Sequence, residues 1–128
     1  MDTQDFVEKL SEASDLMAGE KYKEAIILLE KLKKIDEKGE FDYNLTHKLY
    51  QLLSNSHSLY NQKIILTYLR DISKQQKSIT FSELNKVLKE NKELDIEDAI
   101  LRREVEILIL RNLLNCKLEG NKIVLNLL

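Results

Sequence analysis

The sequence contains no proline and no tryptophan among its 128 residues. Proline costs about 3 kcal/mol in a helix interior, so its absence leaves room for long, uninterrupted helices. Apolar residues make up 43% of the chain and charged residues 33%, which is typical of a soluble, helix-rich protein. A chain of this length buries roughly two-thirds of its extended surface. We therefore expect it to fold without disulfide bonds.

Cysteine and long apolar runs are also scarce. The single Cys116 excludes an intramolecular disulfide and cannot by itself form a thiolate zinc site, which fits a reducing compartment. No apolar run approaches the ~18 residues that would span a bilayer. The acidic start, Met1–Asp5, is unlike a signal or transit peptide. We expect a cytoplasmic protein, or a nuclear one in a eukaryote, without a membrane partner.

Sequence signatures of catalysis are absent as well. There is no Gly-rich phosphate loop, nucleophile elbow, HExxH motif or Cys/His pair. His47 and His57 have no carboxylate or thiol at ligand spacing with both, whereas a zinc site needs several convergent ligands. The net charge of −2 provides no global field that would attract nucleic acid. We predict no enzyme activity, no metal and no cofactor.

The N-terminal half predicts helical hairpins. Asp2 or Thr3 can cap a first helix, and Gly19 ends it in the C′ position that favours left-handed backbone. A second helix follows over Tyr22–Ile35, and the short link makes the pair antiparallel.

Two further helices are predicted before residue 75. The third runs over Tyr43–Leu53 and the fourth over Leu59–Lys74. Ser54–Ser58 separates them, because its residues bond to their own backbone. The fourth helix is expected to join both halves of the chain in one core.

The first hairpin is similar to the second half of one tetratricopeptide-type (TPR) repeat unit. The resemblance is carried by Ala13, Leu16, Gly19, Tyr22, Ala25, Ile26, Leu29, Leu32 and Asp36. It implies a turn at glycine and small residues where the helices approach. A groove between the hairpins that binds a peptide is one function left open.

The C-terminal half predicts a winged helix. A helix over Phe81–Lys89 and a longer one over Ile96–Asn115 precede two strands, Cys116–Glu119 and Lys122–Leu125. The loop Gly120–Asn121 between the strands suits a type II′ turn.

Local signals mark the starts of these C-terminal elements. Ile79 begins the small sheet, and Thr80 with Glu83 forms a capping box. Asp95 is predicted to cap the last helix.

The last helix carries apolar residues almost all round, with polar residues, Glu104 among them, only in its first turns. A helix that is apolar all round is buried all round. A DNA-reading helix instead keeps one polar face free. We expect this helix to pack on two sides, one of them against the N-terminal helices or a second protein.

Helical hairpins followed by a winged helix resemble the PCI domain. The matching stretches are Ile79–Leu84, Arg103–Ile109 and Leu113–Glu119. The resemblance implies a scaffold subunit without catalysis that assembles side by side with others through its winged helix, often through sheet edges. The terminal strand, which has no charged residue after Lys122, is a candidate edge unless it is covered.

We therefore predict a mainly α protein with TPR-like helical hairpins in residues 1–58 and, in 59–128, a winged helix with a small C-terminal β-hairpin. The predicted function is a non-enzymatic scaffold or adaptor that binds other subunits or itself. The predicted interface residues are Ile109, Leu110, Leu113, Val124, Leu125 and Leu127. The alternative is a winged-helix nucleic-acid-binding protein, that is, a transcription regulator, which contacts its ligand through Arg102, Arg103, Lys117 and Lys122.

Overall fold

The computed structural model describes residues 1–125. Over that range the chain is mainly helical, with a three-stranded antiparallel sheet towards its C-terminal end, as the sequence predicts in outline. The elements are α1 (Thr3–Ala18), α2 (Tyr22–Asp36), α3 (Tyr43–Ile72), β1 (Ser78–Thr80), α4 (Phe81–Asn91), α5 (Asp98–Leu110), β2 (Lys117–Glu119) and β3 (Lys122–Val124). Two compact units divide within α3: Met1–Tyr60, and the chain from Asn61 onward. The predicted division after residue 58 falls in the same helix.

The helix α3 is a single element of 30 residues, so the predicted break at Ser54–Ser58 is wrong. The segment contains no glycine or proline, and serine, asparagine and histidine each cost only about 0.5 kcal/mol relative to alanine in a helix. Ser56 is fully buried, and Leu52 and Leu53 just before it belong to the core of the first unit. Packing of the helix against that core outweighs the weak local preference for a turn.

The first unit encloses a core between α1, α2 and the N-terminal part of α3. Its buried members are Phe6, Leu10, Ala13, Leu29, Leu32, Leu49, Leu52 and Leu53. The ring of Phe6 stacks on that of Phe41, with 4.1 Å between the ring centroids. Ala13 and Ala25 are both fully buried.

The ends of α1 confirm one predicted cap and correct another. Asp2 accepts a hydrogen bond from the Asp5 amide at 2.8 Å, as predicted for an N-cap. At the other end, Gly19 has a φ of −85° and the left-handed residue is Glu20, with a φ of 60°. The Lys21 amide donates to the Leu16 carbonyl, the long-range bond of a Schellman motif. The left-handed position therefore lies one residue after the glycine.

In the second unit the sheet order is β1-β3-β2. Ile123 on β3 lies opposite both Ile79 and Leu118, so these three side chains share one face of the sheet. Gly120 has a φ of 62°, the left-handed value that the predicted turn requires. Ile79 lies in β1, as expected, and on this face Ile79 and Ile123 are buried while Leu118 is half-buried.

The helices α4 and α5 begin differently from one another. Thr80 and Glu83 form the predicted capping box at the start of α4. The N-cap of α5 is Glu97, which makes no side-chain capping bond, so the prediction of Asp95 as a cap is wrong. Asp98 instead accepts a hydrogen bond from the side-chain amide of Asn85 on α4. The start of α5 is therefore tied to α4 through a side chain.

Candidate functional site: the surface of α5 and the C-terminal sheet

Arg102 on α5 holds the hairpin turn against the helices. Its Nη1 donates to the Gly120 carbonyl at 3.0 Å, and its Nε donates to Glu106 at 3.1 Å. Its guanidinium lies over the Phe81 ring, 5.0 Å from the centroid. The Phe81 amide donates to the Asn121 carbonyl at 2.8 Å, so the turn is attached to the starts of both α4 and α5. Arg102, predicted as a nucleic-acid contact, thus makes three interactions inside its own fold.

Arg103, the second predicted arginine, pairs with a buried carboxylate. Its Nη2 lies 3.0 Å from Glu104 Oε1, and the Glu104 side chain is 0% exposed while that of Arg103 is 60% exposed. Gln62 on α3 donates to the other carboxylate oxygen at 3.1 Å and accepts from Arg111 at 2.6 Å. A buried charge is tolerated only when it is paired and hydrogen-bonded, which these side chains provide.

Glu104 is fully buried, although it belongs to the polar first turns of this helix. The buried residues of α5 are Leu101, Glu104, Val105 and Leu108. This spacing of three, one and three residues defines a single helix face. Glu104 occupies a core position between apolar neighbours. Its spacing from Leu101 and Leu108, three and four residues, is the one sequence signal that could have predicted its burial.

Lys117 and Lys122 lie on the opposite face of the sheet from Ile123, and both are exposed. Glu119 lies directly across from Lys122 and shares this face with Lys117. The two lysines are therefore accompanied by a carboxylate. With both arginines paired to glutamates, the four predicted nucleic-acid contacts supply little uncompensated positive charge.

The predicted protein-interface residues on α5 and after it differ in exposure. Leu110 is 80% exposed, whereas Ile109 and Leu113 are half-buried. Ile107, one turn before Leu110 on the helix surface, is also half-buried. We call Ile107, Ile109, Leu110 and Leu113 the α5 patch. The expectation that this helix is buried all round is thus wrong at its outward-facing C-terminal end.

The C-terminal strand does not present a free edge. β3 pairs with β1 on one side and with β2 on the other, so it is the central strand of the sheet. Leu125 is 1% exposed, and its amide donates to the Lys77 carbonyl at 2.7 Å. Leu125 is therefore a core residue and not an interface residue, because β1 covers the edge that was expected to be open. Val124 is half-buried, and Leu127 lies outside the described residues.

The chain after α5 is fixed by backbone hydrogen bonds. Asn112 adopts a left-handed φ of 59° and ends the helix earlier than the predicted Asn115. The Leu113 amide donates to the Leu108 carbonyl at 3.0 Å, and Arg70 donates to the Leu113 carbonyl at 2.9 Å. Asparagine tolerates this conformation better than most residues, so a helix can end on it. The α5 patch therefore has a defined backbone on both sides of Leu110.

The single cysteine is buried, and each of the two histidines lies next to another side chain. Burial raises the pKa of the Cys116 thiol and so favours its neutral, unreactive form. His57 Nε2 lies 3.6 Å from Glu30 Oε1, and the His47 ring stacks on Tyr43 with 6.1 Å between centroids. In residues 1–125, no cluster of three His, Cys, Asp or Glu side chains could hold a metal ion.

None of the described helices is both long and apolar enough to cross a lipid bilayer. Comparison of the chain with known protein families, curated proteins and solved structures found no match.

Proposed function

We propose that this protein is a non-enzymatic interaction module that joins a multiprotein complex through a winged-helix-like C-terminal unit. The support for the winged-helix assignment is the order of elements from Asn61 onward: helix, strand, helix, helix, strand, strand. The sheet order β1-β3-β2 is the one that such an element order produces in winged helices. The N-terminal unit, on this proposal, is a TPR-like helical hairpin extended by α3.

The observation that carries the proposal is Leu110, a large apolar side chain that is 80% exposed on the outward face of α5. A single exposed leucine is ordinary on a protein surface. Leu110, however, is surrounded along the helix by the half-buried residues of the α5 patch, on a backbone that is already ordered. Pre-ordered apolar patches bind other proteins with a smaller entropic cost than mobile ones.

The charge of the same face favours protein over nucleic acid. In winged helices that read DNA, the corresponding helix enters the major groove, and phosphate contacts by Lys and Arg supply much of the affinity. Arg102 and Arg103 are instead paired with Glu106 and Glu104. The nucleic-acid alternative therefore depends mainly on Lys117 and Lys122, beside Glu119.

The surface proposed for assembly is narrower than the one predicted from the sequence. It keeps Ile109, Leu110 and Leu113, with Val124 on the outward face of the sheet. It no longer includes Leu125, which belongs to the core, or a free edge of β3.

The proposal is tested by affinity capture from native lysate with the tagged wild-type chain and two variants, each with and without nuclease. Leu110→Lys places a cation at a helix C-terminus, where it favours the helix, and removes the apolar centre of the patch. Ile27→Lys is the matched control, because Ile27 on α2 is 50% exposed and outside the patch. We expect specific proteins that survive nuclease with wild type and Ile27→Lys and are lost with Leu110→Lys. Retention by Leu110→Lys would contradict the proposal, and loss of all partners with nuclease would favour nucleic acid.

A further inference from the structure

The N-terminal half of α3 has an outward face with almost no charge. Between Tyr43 and His57 the only charged residue is Lys48, in a chain where charged residues make up 33%. No aspartate or glutamate occurs between Asp42 and Asp71. The exposed positions carry tyrosine, histidine, serine, asparagine and glutamine instead. A solvated helix surface in this protein is otherwise rich in Glu and Lys, so this face has a different composition from its surroundings.

Four aromatic side chains and one serine form a stripe on this face. Tyr43, His47, Tyr50, Ser54 and His57 follow one another at alternating spacings of four and three residues and are all exposed. Tyr43 is 79% exposed and Tyr50 is 41% exposed. The stripe extends for about 21 Å along the helix axis at 1.5 Å per residue. We call it, together with Lys48, the aromatic face.

This composition is that of a protein-binding surface. The centres of protein interfaces are enriched in tyrosine and depleted of lysine, glutamate and aspartate. Tyrosine provides a large contact area with few side-chain torsions to immobilise, and it is over-represented among residues that dominate binding energy. The formal charge on this face is the cation of Lys48. His47 and His57 add imidazole hydrogen-bonding groups, and His57 already lies near Glu30.

The opposite composition occurs on α1. Asp5, Glu8, Glu12 and Asp15 are all exposed and lie three or four residues apart, so their carboxylates form one stripe about 15 Å long. This acidic stripe points away from the core, because the buried residues of α1 are Phe6, Leu10 and Ala13. Lys9 neutralises part of it through a 3.1 Å ion pair with Glu12.

We propose that the acidic stripe of one copy binds the aromatic face of a second copy, and that the two copies bind each other reciprocally. The carboxylates of α1 can accept hydrogen bonds from the tyrosine hydroxyls, the Asn and Gln amides, the imidazoles and Lys48 of the partner. The aromatic face contains no carboxylate of its own, and the nearest ones, Glu30 beside His57 and Asp42 before Tyr43, lie at its two ends. Since both surfaces occur on every chain, a two-fold arrangement makes each contact twice, as in most homodimers. The proposal concerns residues 1–60 and is independent of the α5 patch.

The experiment is sedimentation equilibrium of the full chain over a wide concentration range, with three variants. Glu8→Lys/Glu12→Lys reverses the acidic stripe, and Lys48→Glu reverses the charge of the aromatic face. Glu24→Lys is the matched control, because Glu24 is an exposed carboxylate on α2, outside both surfaces. Circular dichroism of each variant establishes that the helices are intact.

We expect a wild-type dimer that Glu24→Lys leaves unchanged and that each of the other two variants weakens about tenfold or more. An equal mixture of the two weakened variants should recover dimers. In a mixed pair, one contact joins the two unaltered surfaces, and the other joins the reversed acidic stripe of one chain to the reversed aromatic face of the other. A monomeric wild type throughout the range would overturn the proposal. So would a dimer that neither Glu8→Lys/Glu12→Lys nor Lys48→Glu weakens.

Discussion

Replacing Arg102 should release the hairpin turn from the rest of the second unit. Arg102 contributes a cation–π contact with Phe81, a hydrogen bond to the Gly120 carbonyl and an i,i+4 ion pair with Glu106. At a partly exposed site these are worth roughly 0.5–1, 0.5–1.5 and 0.3–0.5 kcal/mol. Allowing for overlap between them, Arg102→Ala should lower the free energy of unfolding by about 2 kcal/mol.

Two companion variants separate the causes of that loss. Arg102→Lys keeps the charge but lacks the planar, forked donor set of the guanidinium, so it should lose most of the same stability. Arg102→Met keeps the apolar stem over Phe81 and should lose somewhat less than alanine. Urea denaturation followed by circular dichroism gives the free energies, and hydrogen exchange of the hairpin amides reports whether the turn opens. An Arg102→Ala protein within about 0.5 kcal/mol of wild type would refute the structural role of this side chain.

Three further predictions concern the core and the helix ends. Because the left-handed residue is Glu20, Gly19→Ala should leave the free energy of unfolding unchanged or raise it by up to about 1 kcal/mol. For the same reason Glu20→Gly should raise it by about 0.5 kcal/mol. Urea midpoints that fall with both changes would contradict this. Ser56→Ala should raise the free energy of unfolding by about 1 kcal/mol, because within the described residues the buried Ser56 hydroxyl has no hydrogen-bond partner; a destabilised variant would reveal a bond to that hydroxyl. Leu125→Glu should unfold the second unit at a cost on the order of 4 kcal/mol, whereas a variant that stays folded and loses only association would restore Leu125 to the interface.

Features that depend on a few neighbouring residues were predictable from the sequence. The capping box of Thr80 and Glu83 is complete within four positions of the chain, and the hairpin turn needs little more than Gly120 between two short strands. In each case the decisive contacts are local, so propensity and spacing contain the information.

Features that depend on distant partners were not predictable in the same way. Arg102 reaches a carbonyl 18 positions away, and Gln62 reaches Glu104 across 42 positions. The serine- and asparagine-rich segment of α3 has a local preference for a turn, yet the core keeps it helical. The edge of β3 is covered by β1. The sequence near β1 contains no pattern that specifies with which strand β1 pairs. Of the residues predicted for the site, Leu110 is exposed, whereas Leu125 is buried and both arginines are paired within the fold. The interface role of Leu110 stays a prediction.

The most direct test of the central claim places a photo-cross-linking residue, p-benzoylphenylalanine, at position 110 of the full chain, and in a parallel protein at position 27. Both positions are exposed and apolar in the wild type, but only Leu110 belongs to the α5 patch. The account predicts a discrete protein adduct from position 110 that persists after nuclease treatment, and none of the same mass from position 27. Adducts of equal yield from both positions, or the loss of the position-110 adduct with nuclease, would contradict it.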